Sequence, residues 1–183
     1  MTNLPAGAGE FVYSLIAPGP HPSLGKHAET YGRVIGSWIG EYEDHMTDGR
    51  IETGSMEVHF FWVLQGLAVQ DVWIAPSRTD RESGKTGGPS YTRNTYGTTV
   101  RVFDPKSECW RVAWLNPAQN VRYDLVGHRV GDDIVQLGIH GDVLAKWVFT
   151  QITKTSLIWR GFVMEKDGET WRMHSEFRLR RLR

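Results

Sequence analysis

An all-β antiparallel barrel is the fold this sequence predicts, and three observations predict it. Eight tryptophans occur in 183 residues, most of them on short runs that alternate apolar and polar positions. Those runs are closed by TDG at 47 to 49, DPKSE at 104 to 108, GDD at 131 to 133, HGD at 140 to 142 and KDGE at 166 to 169. In each, Gly, Asp or Pro supplies the dihedrals that a hairpin needs. Residues 54 to 74, GSMEVHFFWVLQGLAVQDVWI, set two β-rich runs either side of a turn at Gly66. The rings on these runs predict an aromatic interior.

Residues 1–22 are rich in Gly and Pro, with one brief apolar run from Phe11 to Ile16, and predict an N-terminal arm that is extended or holds a short strand. Leu24, His27, Ala28, Tyr31, Val34 and Ile35 then recur at helical spacing, with Ser23 as N-cap after Pro22. One helix over 23–35 is expected, capping an open end of the barrel. Strands are predicted near 36–45, 53–64, 67–75, 94–104, 110–116, 121–129, 133–140, 144–151, 156–165 and 170–180. The whole of 23–183 therefore reads as a single barrel domain. Residues 76–93, PSRTDRESGKTGGPSYTR, break the strand rhythm and predict a flexible surface loop able to act as a lid.

Charge and composition remove several function classes. The 21 basic and 21 acidic residues cancel, so no long-range field gathers nucleic acid or anionic lipid; the arginine-rich tail FRLRRLR reads as a solvated strand end. One cysteine, Cys109, excludes an internal disulfide framework and fits a reducing compartment. The N-terminus does not have the pattern of a signal peptide, and no apolar run reaches membrane-spanning length, so a cytoplasmic protein without membrane contact is expected. The sequence contains no Walker A loop, dinucleotide fingerprint, Gly-x-Ser-x-Gly elbow or paired-cysteine zinc signature, and no cofactor is expected.

The run YGTTVRVFDPKSECWRVAWLNP, then DIVQLG, then ITKTSLIWRGFVMEKDGETWRMHSEFRLRR, resembles bacterial lipocalin-like proteins grouped as domains of unknown function. Phe103, Asp104, Pro105, Trp110 and Trp114 carry the first part of that resemblance; Ser156, Trp159, Asp167, Gly168, Trp171 and Glu176 carry the second. Gly36-Ser37-Trp38 adds the early Gly-x-Trp of lipocalins. The resemblance covers about residues 36 to 180 and implies an antiparallel calycin-like barrel with an internal cavity. Calycin-like proteins include carriers of hydrophobic ligands, haem binders, and cofactor-free decarboxylases and cyclases, so the fold alone selects no activity.

Strand alternation offers two candidate faces on each segment, and the candidate site residues are drawn from both. Tyr42, Phe61, Trp73, Tyr96, Trp114 and Trp159 are expected as cavity walls, and Gln70, Asn116 and Glu176 as polar ligand contacts. His59 and Asp71 can meet across the hairpin at Gly66 as an acid-base pair, with Arg101 stabilising an oxyanion; a register change of one residue separates them. Glu57-x-His59 and His174-x-Glu176 each set two metal-ligand types on one strand face, but Met173, Phe177 and Leu179 mark the other face of the last strand as buried, and no metal is expected. The leading expectation is a barrel that binds a small, mostly apolar, aromatic or polycyclic molecule. Its rival is a cofactor-independent lyase, isomerase or cyclase acting on the same kind of ligand. Tryptophans on both faces of the last strands also allow a homodimer interface.

Overall fold

The computed structural model describes residues 5–84 and 94–182. Its core is a closed barrel of ten antiparallel strands: β1 (Gly36–His45), β2 (Ile51–Val63), β3 (Ala68–Ala75), β4 (Thr95–Asp104), β5 (Cys109–Asn116), β6 (Val121–Val130), β7 (Asp133–His140), β8 (Val143–Thr150), β9 (Ser156–Met164) and β10 (Trp171–Arg181). Each strand pairs with its neighbours in sequence, and β10 closes the ring on β1, Tyr42 facing Phe177 across the seam. Closure leaves no unpaired strand edge. All ten predicted strands are present, with ends shifted by a residue or two.

Alternation sorts the strand residues. On β2, Met56, Val58, Phe60 and Trp62 are buried toward the axis, while His59 and Phe61 face outward. On β4 the inward set is Thr95, Gly97, Thr99 and Arg101. This is the two-residue period of a pleated strand wrapped round a core.

The N-terminal region differs from its expected form in two ways. Residues read as an extended arm contain a helix, α1 (Ala8–Leu15), entered from Gly7 in the left-handed conformation. It buries none of its side chains, so it has no apolar stripe set into the core for periodicity to detect. The single helix expected over 23–35 is instead a 3-10 turn, Pro22–His27, followed by α2 (Ala28–Gly32). Gly25, with φ 48° and ψ −132°, breaks it, and His21 rather than Ser23 caps the start by accepting from the Ser23 N–H.

The capping role of this region is nevertheless present. Leu24, Tyr31 and Val34 are buried in the end of the barrel from which β1 begins. Tyr31 stands edge-on to Trp110 at 5.0 Å, and its hydroxyl accepts from Gln136 Nε2 at 2.7 Å. Burial pushes the Tyr31 phenol above its usual pKa, so it stays a neutral hydrogen-bonding group. No described helix is long and apolar enough to cross a membrane.

Candidate functional site

With one end plugged, the barrel retains a cavity of about 490 Å³ toward the other end. Its rim is formed where β1 ends and β10 begins, by Asp44, His45, Arg172 and His174, and by Asn116 and Gln119 at the end of β5. One wall is aromatic. Trp159 stacks on Phe177 with centroids 4.5 Å apart, and Trp73 and Trp147 each lie 5.8 Å from Trp159. Trp114 stands edge-on to Trp147 at 6.1 Å. The Trp114 ring occupies the space above Gly97, where a Cβ would come within 2.5 Å of it, so a side chain at 97 would displace the indole.

Arg101 forms the floor between this cavity and the Tyr31 plug. Its Nη1 donates to Asp71 Oδ2 at 2.6 Å, and the other Asp71 oxygen accepts from the Thr99 N–H at 2.7 Å. Both side chains are buried, and the guanidinium lies 4.9 Å from the Tyr31 ring centre. A buried guanidinium without a counter-charge costs several kcal/mol. Asp71 supplies that charge from within the protein, and the oxyanion expected beside Arg101 is therefore already present as an Asp71 carboxylate.

The expected pairing of His59 with Asp71 is corrected by the register. Phe60 faces Asp71 and Val72 faces His59, so the two residues point to opposite sides of the sheet. His59 lies on the outer surface, Nδ1 2.9 Å from Ser37 Oγ and Nε2 3.2 Å from Glu57 Oε2. Phe61, Gln70 and Tyr96 also face away from the cavity. Phe61 is 39% exposed, Gln70 donates to Thr98 Oγ1 at 3.0 Å, and Tyr96 is 48% exposed beneath Arg81. Glu176 belongs to the outer face too, where Arg160 donates to it at 2.6 Å and Arg178 pairs with it. Tyr42 points inward but is buried edge-on to Phe177, behind the cavity wall. Trp73, Trp114, Asn116, Trp159 and Arg101 stand on the cavity surface.

Strand order separates the two motifs weighed as metal ligands, because β1 lies between β2 with Glu57 and His59 and β10 with His174 and Glu176. Among the described residues, no three His, Cys, Asp or Glu side chains gather as a metal site.

The sequence reading missed Ser175 and the inward turn of His174 on β10. Met173 faces Phe162 and Ser175 faces Gly161, so His174 is the extra residue of a bulge, and it turns to the cavity together with Ser175. Gly161 makes this possible: a Cβ there would lie 2.7 Å from His174 Nε2. Ser175 Oγ donates to Asp44 Oδ1 at 2.5 Å and lies 3.0 Å from His174 Nδ1. These three residues form a chain along which a proton can pass. The ladder shift at 173–175 breaks the period of two, which is why alternation did not find it.

The expected lid is also relocated in part. Both strands joined by this segment meet it at the cavity end, but residues 76–84 carry α3 (Arg78–Glu82) on the outer face of β2. Residues 85–93, where the rest of the expected lid falls, lie outside the described residues. Arg78 holds α3 in place through three donors to Glu57: its backbone N at 2.7 Å, Nε at 3.0 Å and Nη2 at 2.8 Å. Burial by itself raises the Glu57 carboxyl, but the Arg78 contacts and the His59 hydrogen bond outweigh it and bring the pKa down to about 2.

A carboxyl lowered by folding stabilises the protein above its ordinary pKa of 4.5, and that contribution is lost as pH falls toward about 2. Glu57→Gln is therefore expected to be less stable than the native protein at neutral pH and to lose less on acidification through that window. Thermal melts of both proteins check this. Parallel acid profiles would show that the Glu57 contacts do not contribute to stability.

Two solved structures share the architecture. The S-type phycobiliprotein lyase CpeS from Guillardia theta superposes with a TM-score of 0.54 at 14% identity, over 85% of this chain and 92% of that one. Rv2717c from M. tuberculosis superposes with a TM-score of 0.56 at 15% identity, over 90% of this chain and 99% of that one. No family model and no curated protein matches the chain. The fold is a calycin-like ten-stranded barrel, and identity this low carries the fold alone.

Proposed function

We propose that the protein binds a small, flat, aromatic molecule inside the barrel. One observation carries this reading: a cavity of about 490 Å³ whose walls include Trp73, Trp114, Trp147, Trp159 and Phe177. Small-molecule sites are typically roughly 300–1,000 Å³, mostly apolar, with a few fixed polar groups that orient the ligand. Offset and edge-to-face ring contacts then favour a planar aromatic guest over an alkyl chain of similar size. That the same architecture occurs in a phycobiliprotein lyase is consistent with a small-molecule role.

Quenching of tryptophan fluorescence by a library of mono- to tetracyclic aromatic compounds tests the reading. Saturable one-to-one quenching by planar compounds is expected, together with weak or absent binding of fatty acids. Saturable binding of fatty acids alone would overturn it.

A second reading, cofactor-free acid-base chemistry on the bound molecule, is favoured by the His174–Ser175–Asp44 chain on the cavity wall. It predicts slow conversion of some bound compounds in the same titrations, abolished in His174→Gln. Equal conversion by that variant would remove His174 from the chemistry.

A further inference from the structure

Beside the aromatic rings the cavity presents a polar strip, on β4 and at the end of β5, whose chemistry differs from theirs. Thr99, Arg101 and Asn116 line it, and each is only 1% exposed. Each also leaves one buried polar atom without a hydrogen-bond partner among the described residues: Thr99 Oγ1, Arg101 Nε and Asn116 Oδ1. Buried polar atoms in folded proteins are paired almost without exception, because leaving one unpaired costs about 1–3 kcal/mol. The Arg101 guanidinium lies at the floor among the Tyr31, Phe60 and Phe149 rings, so the two atoms that can form one polar edge are Thr99 Oγ1 and Asn116 Oδ1. Thr99 and Asn116 are brought near each other by the β4–β5 register, in which Thr99 faces Trp114 and Thr98 faces Leu115.

The polarity of each group is fixed by its other contacts. Asn116 Nδ2 donates to Gln119 Oε1 at 2.9 Å, which leaves Oδ1 as the atom free to accept. Arg101 Nε is a donor only. The Thr99 hydroxyl can serve either role. Arg101 already holds the Asp71 carboxylate at 2.6 Å, and Arg172 at the rim pairs with Glu165, so neither guanidinium on the cavity offers an uncompensated charge to an anionic ligand.

We infer that this strip selects neutral ring systems that present an acceptor and a donor side by side, a lactam-type or amide-type edge, and discriminates against both bare hydrocarbons and carboxylates. The inference rests on the proposed aromatic binding site and specifies which aromatic compounds it takes. In the bound state the ring carbonyl accepts from the Thr99 hydroxyl and the adjacent ring N–H donates to Asn116 Oδ1.

Three bicyclic probes of similar size separate the possibilities: quinolin-2-one, with the lactam edge; naphthalene, with none; and 2-naphthoate, with a negative charge. Equilibrium dialysis against the full-length protein should show quinolin-2-one bound about tenfold or more tighter than naphthalene, the gain expected from two net hydrogen bonds, with 2-naphthoate weakest. Thr99→Val, which is nearly isosteric, and Asn116→Leu should each shrink the ratio of quinolin-2-one to naphthalene affinity toward one; either variant suffices if the other fails to fold. Equal affinity for quinolin-2-one and naphthalene would overturn the polar edge and leave the aromatic site standing. Tightest binding of 2-naphthoate would overturn the neutral class. Failure of all three probes while other aromatics quench would overturn the lactam assignment, and failure of every aromatic compound would remove the binding site itself.

Discussion

Replacing Asp71 with alanine should destabilise the barrel by about 3–5 kcal/mol, because it leaves Arg101 charged, buried and without its counter-ion. In a chain of this length that corresponds to a fall in Tm of roughly 6–20 °C. The destabilisation comes from the stranded guanidinium, so removing it as well, in Asp71→Ala/Arg101→Met, should recover a large part of the lost stability. The methionine keeps apolar bulk beneath Tyr31 and Phe149, which lie 4.9 and 5.8 Å from the guanidinium. Thermal melts of the two variants decide the matter. A double variant no more stable than Asp71→Ala would show that the floor is held by packing and not by the ion pair.

The largest effect on binding is expected from Ala145→Phe. Ala145 is a small side chain on the cavity surface, on β8 beside Trp147 and across from Val163 of β9. A phenyl ring there enters space that the ligand needs. Affinity for planar aromatics should fall by about two orders of magnitude, the equivalent of roughly 3 kcal/mol. Stability should be unchanged or slightly raised, since filling a cavity adds contacts. Overpacking would instead appear as a loss of 1–3 kcal/mol or more with binding retained elsewhere. The combination of intact melting and lost quenching separates a blocked site from a damaged protein.

Strand composition and turn chemistry made the barrel legible. The hairpins at Gly49, Gly131, Gly141 and Gly168 all place their glycine at positive φ, as the turn residues predicted. Asp167 shows the same logic in a side chain: its Oδ1 accepts from the backbone N–H of Glu169 and of Thr170, both at 2.9 Å. The site was legible only in part, because a cavity depends on which face of each strand turns inward. On β4 the sequence reading took both Tyr96 and Arg101, which alternation sets on opposite faces, and only Arg101 turns inward. A one-residue step in a strand exchanges inside for outside.

His59 and Phe61 were misplaced by that step, since the inward residues of β2 are Val58 and Phe60. Glu176 misled differently. It is 5% exposed yet faces outward, because Arg160 and Arg178 cover it, so burial is not the same as pointing into the barrel. His174 could not be assigned by period at all, since the bulge at that position is a tertiary feature of the β9–β10 pair. Its one sequence signal is Gly161, a strand glycine, of the kind that marks a close approach by another group.

Native mass spectrometry of the protein and of Ala145→Phe, each incubated with the tightest compound from the quenching screen and compared with its denatured spectrum, locates the ligand. A ligand held inside the barrel gives a one-to-one complex for the native protein that disappears on denaturation, and the bare mass alone for Ala145→Phe. A complex of equal abundance on both proteins would place the ligand outside the barrel and contradict the proposed site.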